Sequence, residues 1–380
     1  AKLYYLMLLM LEAGMLGVFI ARDWSLFYVF WEATLIPLFF LIDRLGGKNR
    51  QQAALNFVLY TMGGSVFMLV ALLLLYDAAP GHSFDMGAMA QGARGLPLAT
   101  QAFIFAGLFI GFAVKMPVVP LHGWLPLAHV EAPSPVSILL SGVLLKMGAY
   151  GLIRATEALP DAVAALRDWL ATLAFAGLLY GGVLAWRQRD LKSMVAYSSI
   201  AHMGVVLLGI AALNVAGLTG AIMQMVAHGL VAGLLFLLVG LLYERTHTRD
   251  IADYESLITL MPRFAFFTVL ALVAAIGLPG TAGFVAEVHT LIGGFARWGG
   301  WVALLSLSVL VSAAYAVRTI GRLCTGPTSA AMRNVPDISR AELAAAAVLA
   351  VGIVTLGFFP APALALVGAT VGHMSRLFGS

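Results

Sequence analysis

The stretch FAVKMPVVPLHGWLPLAHVEAPSPVSILLSGVLLKMGAYGLI, Phe112 to Ile153, decides the fold of this chain. It sets two lysines, Lys115 and Lys146, into runs otherwise apolar enough to cross a bilayer. Between them stand five prolines (Pro117, Pro120, Pro126, Pro133 and Pro135) and two histidines, His122 and His129. A charge at membrane depth costs about 2.5–3.5 kcal/mol on insertion scales. Two such charges beside a proline-broken helix point to an ion pathway.

The rest of the chain has the same character. Of its 380 residues, 61% are hydrophobic and 11% charged, with a mean hydropathy of +0.96. Soluble domains carry about 25% charge, so the composition implies an all-α polytopic membrane protein. The net charge of +4 is not a nucleic-acid signal, because the basic residues sit between hydrophobic spans and report topology instead. Cys324 is the single cysteine, which excludes an internal disulfide and a cysteine-ligated cluster. The sequence has no phosphate loop, nucleophile triad or metal-ligand cluster, so the energy for transport is expected from partner chains.

Runs of roughly 20 apolar residues predict about eleven transmembrane helices. They fall at 3–21, 24–42, 53–76, 99–119, 135–154, 168–186, 191–213, 215–243, 262–295 (interrupted), 300–323 and 341–359. Ala361 to Phe378 is a weaker amphipathic tail suited to the interface, and 77–98 reads as a surface loop. The chain starts on Ala1, without a signal-peptide layout, and is almost at once inside a span, so an N-terminal portion is expected to precede it. Fourteen of the 22 basic residues, Arg333 among them, lie on the N-terminal side and six on the far side; Lys115 and Lys146 remain inside. The N-terminal side is therefore assigned to the cytoplasm.

The pattern of breaks suggests two inverted five-helix repeats. The fourth helix of each is interrupted, by KMPVVP at 115–120 and by GLPGTAG at 277–283. An odd repeat length inverts the second unit, and matching broken helices mark an ion site near the midplane. The expected division is 1–154, 155–323 and a last helix with its tail over 324–380.

Candidate residues follow from depth. Glu32 lies mid-span in FYVFWEATLIP, Lys115 precedes Pro117, Lys146 is equally deep, and Glu287 follows the second break. Intramembrane ionisable groups are functional by default, although a lysine near a helix end can snorkel to water. His202 and His228 lie on successive helices. Lys192 and Glu12 are weaker candidates, the first explained by topology alone and the second read as buried in the first span. His289 near the second kink is expected to find a backbone carbonyl. The chemistry suits a proton wire: burial disfavours the charged form of lysine and carboxylate alike, a neighbouring opposite charge restores it, and histidine titrates near neutrality.

FYVFWEATLIP, the long central stretch, DLKSMVAYSSIAHMG, LPGTAGFVAE and PDISRAE together resemble the subunit M (chain 4) family of proton-pumping NADH:quinone oxidoreductase, respiratory complex I. The resemblance runs over essentially the whole chain. It implies an antiporter-like subunit without its own redox centre, in a multi-pass position in the cell inner membrane beside similar membrane-arm subunits. NADH, FMN, iron–sulfur clusters and quinone are implied in partner subunits. It also implies that Glu32 and Lys115 form a modulating pair, Lys146 is the central lysine, His202 and His228 connect, and Glu287 is the exit-side glutamate. Leu127 departs from the family's Asp. The alternatives are a homologous subunit of a ferredoxin-linked photosynthetic complex, a membrane-bound hydrogenase or a multisubunit cation/proton antiporter, and a non-conducting scaffold.

Overall fold

A computed structural model describes residues 2–327 and 335–379; Arg333, used above for orientation, lies outside the described residues. The first half comprises α1 (Lys2–Ile20), α2 (Trp24–Ala33), α3 (Leu35–Leu45), α4 (Arg50–Ala78), α5 (Met86–Ala93), α6 (Leu98–Lys115), α7 (Trp124–Glu131), α8 (Ser134–Leu139) and α9 (Leu145–Ala158). There follow α10 (Pro160–Arg187), α11 (Leu191–Ala211), α12 (Val215–Thr246), α13 (Leu257–Leu260), α14 (Pro262–Ala275), α15 (Ala282–Trp298), α16 (Ser306–Cys324), α17 (Arg340–Phe358) and α18 (Ala361–Arg376). Among the described residues, 9 helical segments are long and apolar enough to cross a membrane. The α14–α15 pair and α16 take the positions of the two remaining expected spans.

Several boundaries differ from expectation for local reasons. The span at 24–42 is two helices, because Pro37 offers no N–H to the carbonyl of Ala33 and the chain turns at Thr34. The helix expected at 99–119 stops at Lys115 and resumes as α7. The one expected at 168–186 begins at Pro160, where a missing N–H costs nothing. The loop at 77–98 holds α5, capped by the Asp85 side chain, which accepts from Ala88 N at 2.9 Å. Between α8 and α9 the backbone widens into a π turn over Leu140–Leu144.

Both breaks are built alike. In the first, Val118 N reaches back to Ala113 O (2.8 Å); in the second, Leu278 N reaches Val273 O (3.4 Å). Each is a five-residue step that leaves a nearby carbonyl without its helical donor. The carbonyl of Val114 is taken by the Trp124 indole N–H at 2.8 Å, and that of Ala275 by a histidine described below. One apolar core surrounds Trp24, Phe27, Trp31, Phe57, Phe112 and Trp124, and a second surrounds Phe236, Phe264 and Tyr315. The polar groups described next lie within and between these two cores.

Candidate functional site

Lys115 is the last residue of α6 and has no exposed surface. Its ammonium donates to Thr34 Oγ1 at 3.1 Å and lies 4.7 Å from the centroid of the Trp31 ring. The hydroxyl and the π face together replace part of its hydration. Phe112 closes the box, 5.7 Å from Trp31. Glu32 is the carboxylate whose charge reaches Lys115, but among the described residues no ion pair within 4.0 Å joins them. The Tyr28 hydroxyl lies beside Glu32 and Ser65, while Glu32 Oε1 is buried without a hydrogen-bond partner.

Lys146 stands at the centre of the 25-residue segment Ser134–Ala158. The π turn aims the carbonyl of Ser141 at it, and the ammonium donates there. On its other side Lys146 Nζ is 2.7 Å from His228 Nδ1 on α12. A charged lysine has no lone pair, so at this contact it donates to a neutral imidazole. The His228 ring is 5.3 Å from that of His202 on α11. His202 Nε2 in turn lies 3.0 Å from the Ala275 carbonyl, the one released at the end of α14. Ser141 and Ser199 join hydroxyls at 3.2 Å beneath this row.

Across the second break, the Glu287 carboxylate lies against Gly277, whose φ is +78°. A side chain at 277 would be strained there and would strike the carboxylate. Tyr315 on α16 presents a buried hydroxyl beside Ser198 and Ser312, within reach of the Glu287 charge.

Toward the assigned cytoplasmic side, Lys192 at the start of α11 is buried and donates to the Ala132 carbonyl. It borders a cleft of about 890 Å³ that Lys48, Glu131 and Arg249 also line. Arg249 pairs with Asp190 at 3.0 Å. His129 lies between, stacked 4.6 Å from Phe236, with both ring nitrogens buried and without a hydrogen-bond partner among the described residues. The charges of Lys192 and Lys146 both reach it.

Lys146, His228 and His202 thus form a short buried polar row that ends at the second break, with Glu287 across that break and Lys115 at the first. Residues 21–312 match the model of the family described as NADH:quinone oxidoreductase/Mrp antiporter, TM. The chain belongs to this antiporter family. NADH-quinone oxidoreductase subunit M of Rhodobacter capsulatus is 42% identical over 385 residues, covering 98% of this chain and 75% of the relative. NAD(P)H-quinone oxidoreductase chain 4 3 of Picosynechococcus sp. is 47% identical over 295 residues, 77% of this chain and 53% of its own length. A chain in respiratory complex I from Thermus thermophilus with bound NADH is 34% identical, with a TM-score of 0.93 over 99% of this chain and 80% of that one. A chain of the Mrp complex from Dietzia sp. shares the fold at 22% identity, with a TM-score of 0.87 over 98% and 78%.

Set within the antiporter family, the expected residues divide cleanly. Lys146, His202 and His228 come together, Glu287 sits just across the break from the Ala275 carbonyl, and Lys115 lies at the first break. Glu12 does not join them. It was expected to be buried, but its side chain is exposed, because α1 packs through Leu11, Gly14, Met15 and Val18 and turns residue 12 away. His289 Nδ1 lies 2.7 Å from its own helix at the Val285 carbonyl, as expected for a polar group near a kink. Leu127 packs half-buried against the first core. Sequence reasoning missed Thr34, Ser141, Ser199 and Tyr315. Thr34 stood beside Glu32 and three residues before Pro37, a cue for a helix break; the others carried no signal.

Proposed function

We propose that this chain moves protons across an energy-converting membrane as an antiporter-like subunit of a proton-pumping NADH:quinone oxidoreductase. The observation that carries the reading is the buried Lys146–His228 contact of 2.7 Å, continued by His202 to the carbonyl of the second break. Glu32, Lys115, Lys146, His202, His228 and Glu287 are its proton-carrying groups, and Lys192 loads the row from the cytoplasmic cleft. The reading divides the chain as 1–154, 155–323 and 324–380, two inverted halves and a closing helix, supported by the matching five-residue hydrogen bonds at the breaks. Identities of about 40% to subunits named for NADH:quinone oxidoreduction favour that assembly over the more distant Mrp complexes. Its partners are then other membrane-arm subunits, with NADH, FMN, iron–sulfur clusters and quinone held elsewhere in the assembly, in the inner membrane of the cell.

The mechanism follows from the chain's own groups. A proton reaching Lys146 is shared with His228, passes between the adjacent imidazoles, and leaves His202 toward the break that carries Glu287. Moving it against 100 mV takes about 2.3 kcal/mol. The test is Lys146→Met in the intact complex. NADH-driven proton uptake into proteoliposomes is expected to fall at least tenfold while assembly persists. Unchanged pumping would leave the scaffold reading in its place, and purification without a NADH-oxidising partner would reassign the assembly.

A further inference from the structure

Threonines in several helices of this chain satisfy their hydroxyls locally. Thr61, Thr172, Thr246, Thr268 and Thr319 each donate to the carbonyl four residues back. Thr290 on α15 does not. It is 1% exposed, yet its Oγ1 has no hydrogen-bond partner among the described residues. Thr290 packs against Gly220 of α12, where a Cβ would collide with its backbone N and its hydroxyl. Thr290 follows Glu287 by three residues, so the two share a helix face. Because α15 runs from the second break toward the far side of the membrane, Thr290 is one turn nearer the exit than Glu287.

Glu287 and Thr290 both line a cavity of about 20 Å³, whose remaining lining is Leu178, Val205, Leu208, Leu291 and Val309. One water requires about 10–15 Å³ and at least two polar partners. Glu287 and Thr290 are the two polar residues in its lining, and their carboxylate and hydroxyl are two such partners. A buried hydroxyl left unpaired would be costly, whereas one that holds a water is satisfied.

We propose that a single water bridging Glu287 and Thr290 takes the first outward step of the proton, with Thr290 as the positioning residue. The carboxylic proton passes to the water oxygen, and the water gives up a different proton toward the far side. Glu287 is left as a carboxylate and the water is regenerated. This rests on the reading of Glu287 as a proton carrier, so the experiment includes a variant of that residue.

The intact complex is reconstituted in proteoliposomes with Thr290→Val, Thr290→Ser or Glu287→Gln, and protons translocated per NADH oxidised are measured. Valine keeps the shape and removes the hydroxyl. We expect about a three- to tenfold loss with Thr290→Val, recovery to at least half with Thr290→Ser, and a loss at least as large with Glu287→Gln. If Glu287→Gln is impaired and Thr290→Val is not, the water is refuted and the function stands. If both pump normally, the function itself is refuted. Equal losses in the valine and serine variants would mean shape alone matters, and would overturn the proposal. Should Thr290→Val fail to assemble, a map of the wild-type complex that resolves ordered waters decides: density bridging Glu287 and Thr290 supports the step, and a bare cavity overturns it.

Discussion

Thr34→Val isolates the contact that the structure places at the first break. Lys115 is fully buried, and its one hydrogen bond among the described residues goes to the Thr34 hydroxyl at 3.1 Å. Valine preserves the volume and leaves the ammonium only the Trp31 face, 4.7 Å away. Hydrogen bonds to charged groups contribute about 1.5–3 kcal/mol, so the ratio of charged to neutral Lys115 should drop about ten- to a hundredfold. If loading of Lys115 gates transport, proton uptake by proteoliposomes falls severalfold, while the complex assembles and unfolds at its normal temperature. Thr34→Ser, which restores the hydroxyl, should return most of the activity. Wild-type pumping by Thr34→Val across pH 6–8, or failure of serine to rescue, would refute the role assigned to this hydroxyl.

Four further outcomes are expected. His228→Phe removes the acceptor 2.7 Å from Lys146 and should lower coupled proton uptake at least tenfold, read by fluorescence quenching in the same vesicles. Glu12→Gln should retain at least half the pumping, because that carboxylate is exposed and outside the row. Gly204→Ala drives a methyl into the Ala174 carbonyl, 2.7 Å away, and should destabilise the chain by about 1–3 kcal/mol, visible as a lower unfolding temperature in detergent. Arg249→Ala breaks a part-buried pair with Asp190 and a 2.8 Å hydrogen bond to the Val130 carbonyl and should cost about 1–3 kcal/mol in the same assay.

Fold and depth were legible because the bilayer writes both into composition. Lys115, Lys146 and Glu287 stand out against apolar runs, and Pro117 or the Gly277–Gly280 cluster announces each break. Rotation about a helix axis was not legible. Glu12 and Glu32 look alike in sequence, each a lone carboxylate in an apolar run, yet one faces outward and the other turns toward Tyr28 and Ser65. The packing of α1 against its neighbours decides that difference, and no local pattern carries it. The π turn at Leu140–Leu144 was equally hidden. There Lys146 donates to the Ser141 carbonyl five residues back, while its other side meets His228 of α12, a contact no local pattern announces. Tyr315 carried no signal, because a tyrosine in an apolar helix is usually packing; its place beside Ser198 and Ser312 emerges only when α11 and α16 assemble.

The 2.7 Å contact between Lys146 and His228 also constrains how the row must operate. Two unit charges that close repel by about 6 kcal/mol at an effective dielectric of 20. With 1.4 kcal/mol to each factor of ten, doubly charged pairs are suppressed by about four powers of ten. In the proposed function, a proton arriving at Lys146 therefore cannot be stored beside one already held; it would displace that proton toward His202. His202, 5.3 Å from His228 between ring centroids, is subject to the same repulsion in weaker form. Strict alternation of this kind needs no moving lid. It needs only that a charge introduced at one end be felt at the next station, which is what short spacing in a water-poor interior provides. Replacing His228 by glutamine, which can accept but cannot hold a second proton, should preserve the hydrogen bond to Lys146 yet abolish the displacement. If the His228→Gln complex pumps at the full wild-type ratio, repulsion between neighbouring stations is not what drives the proton forward.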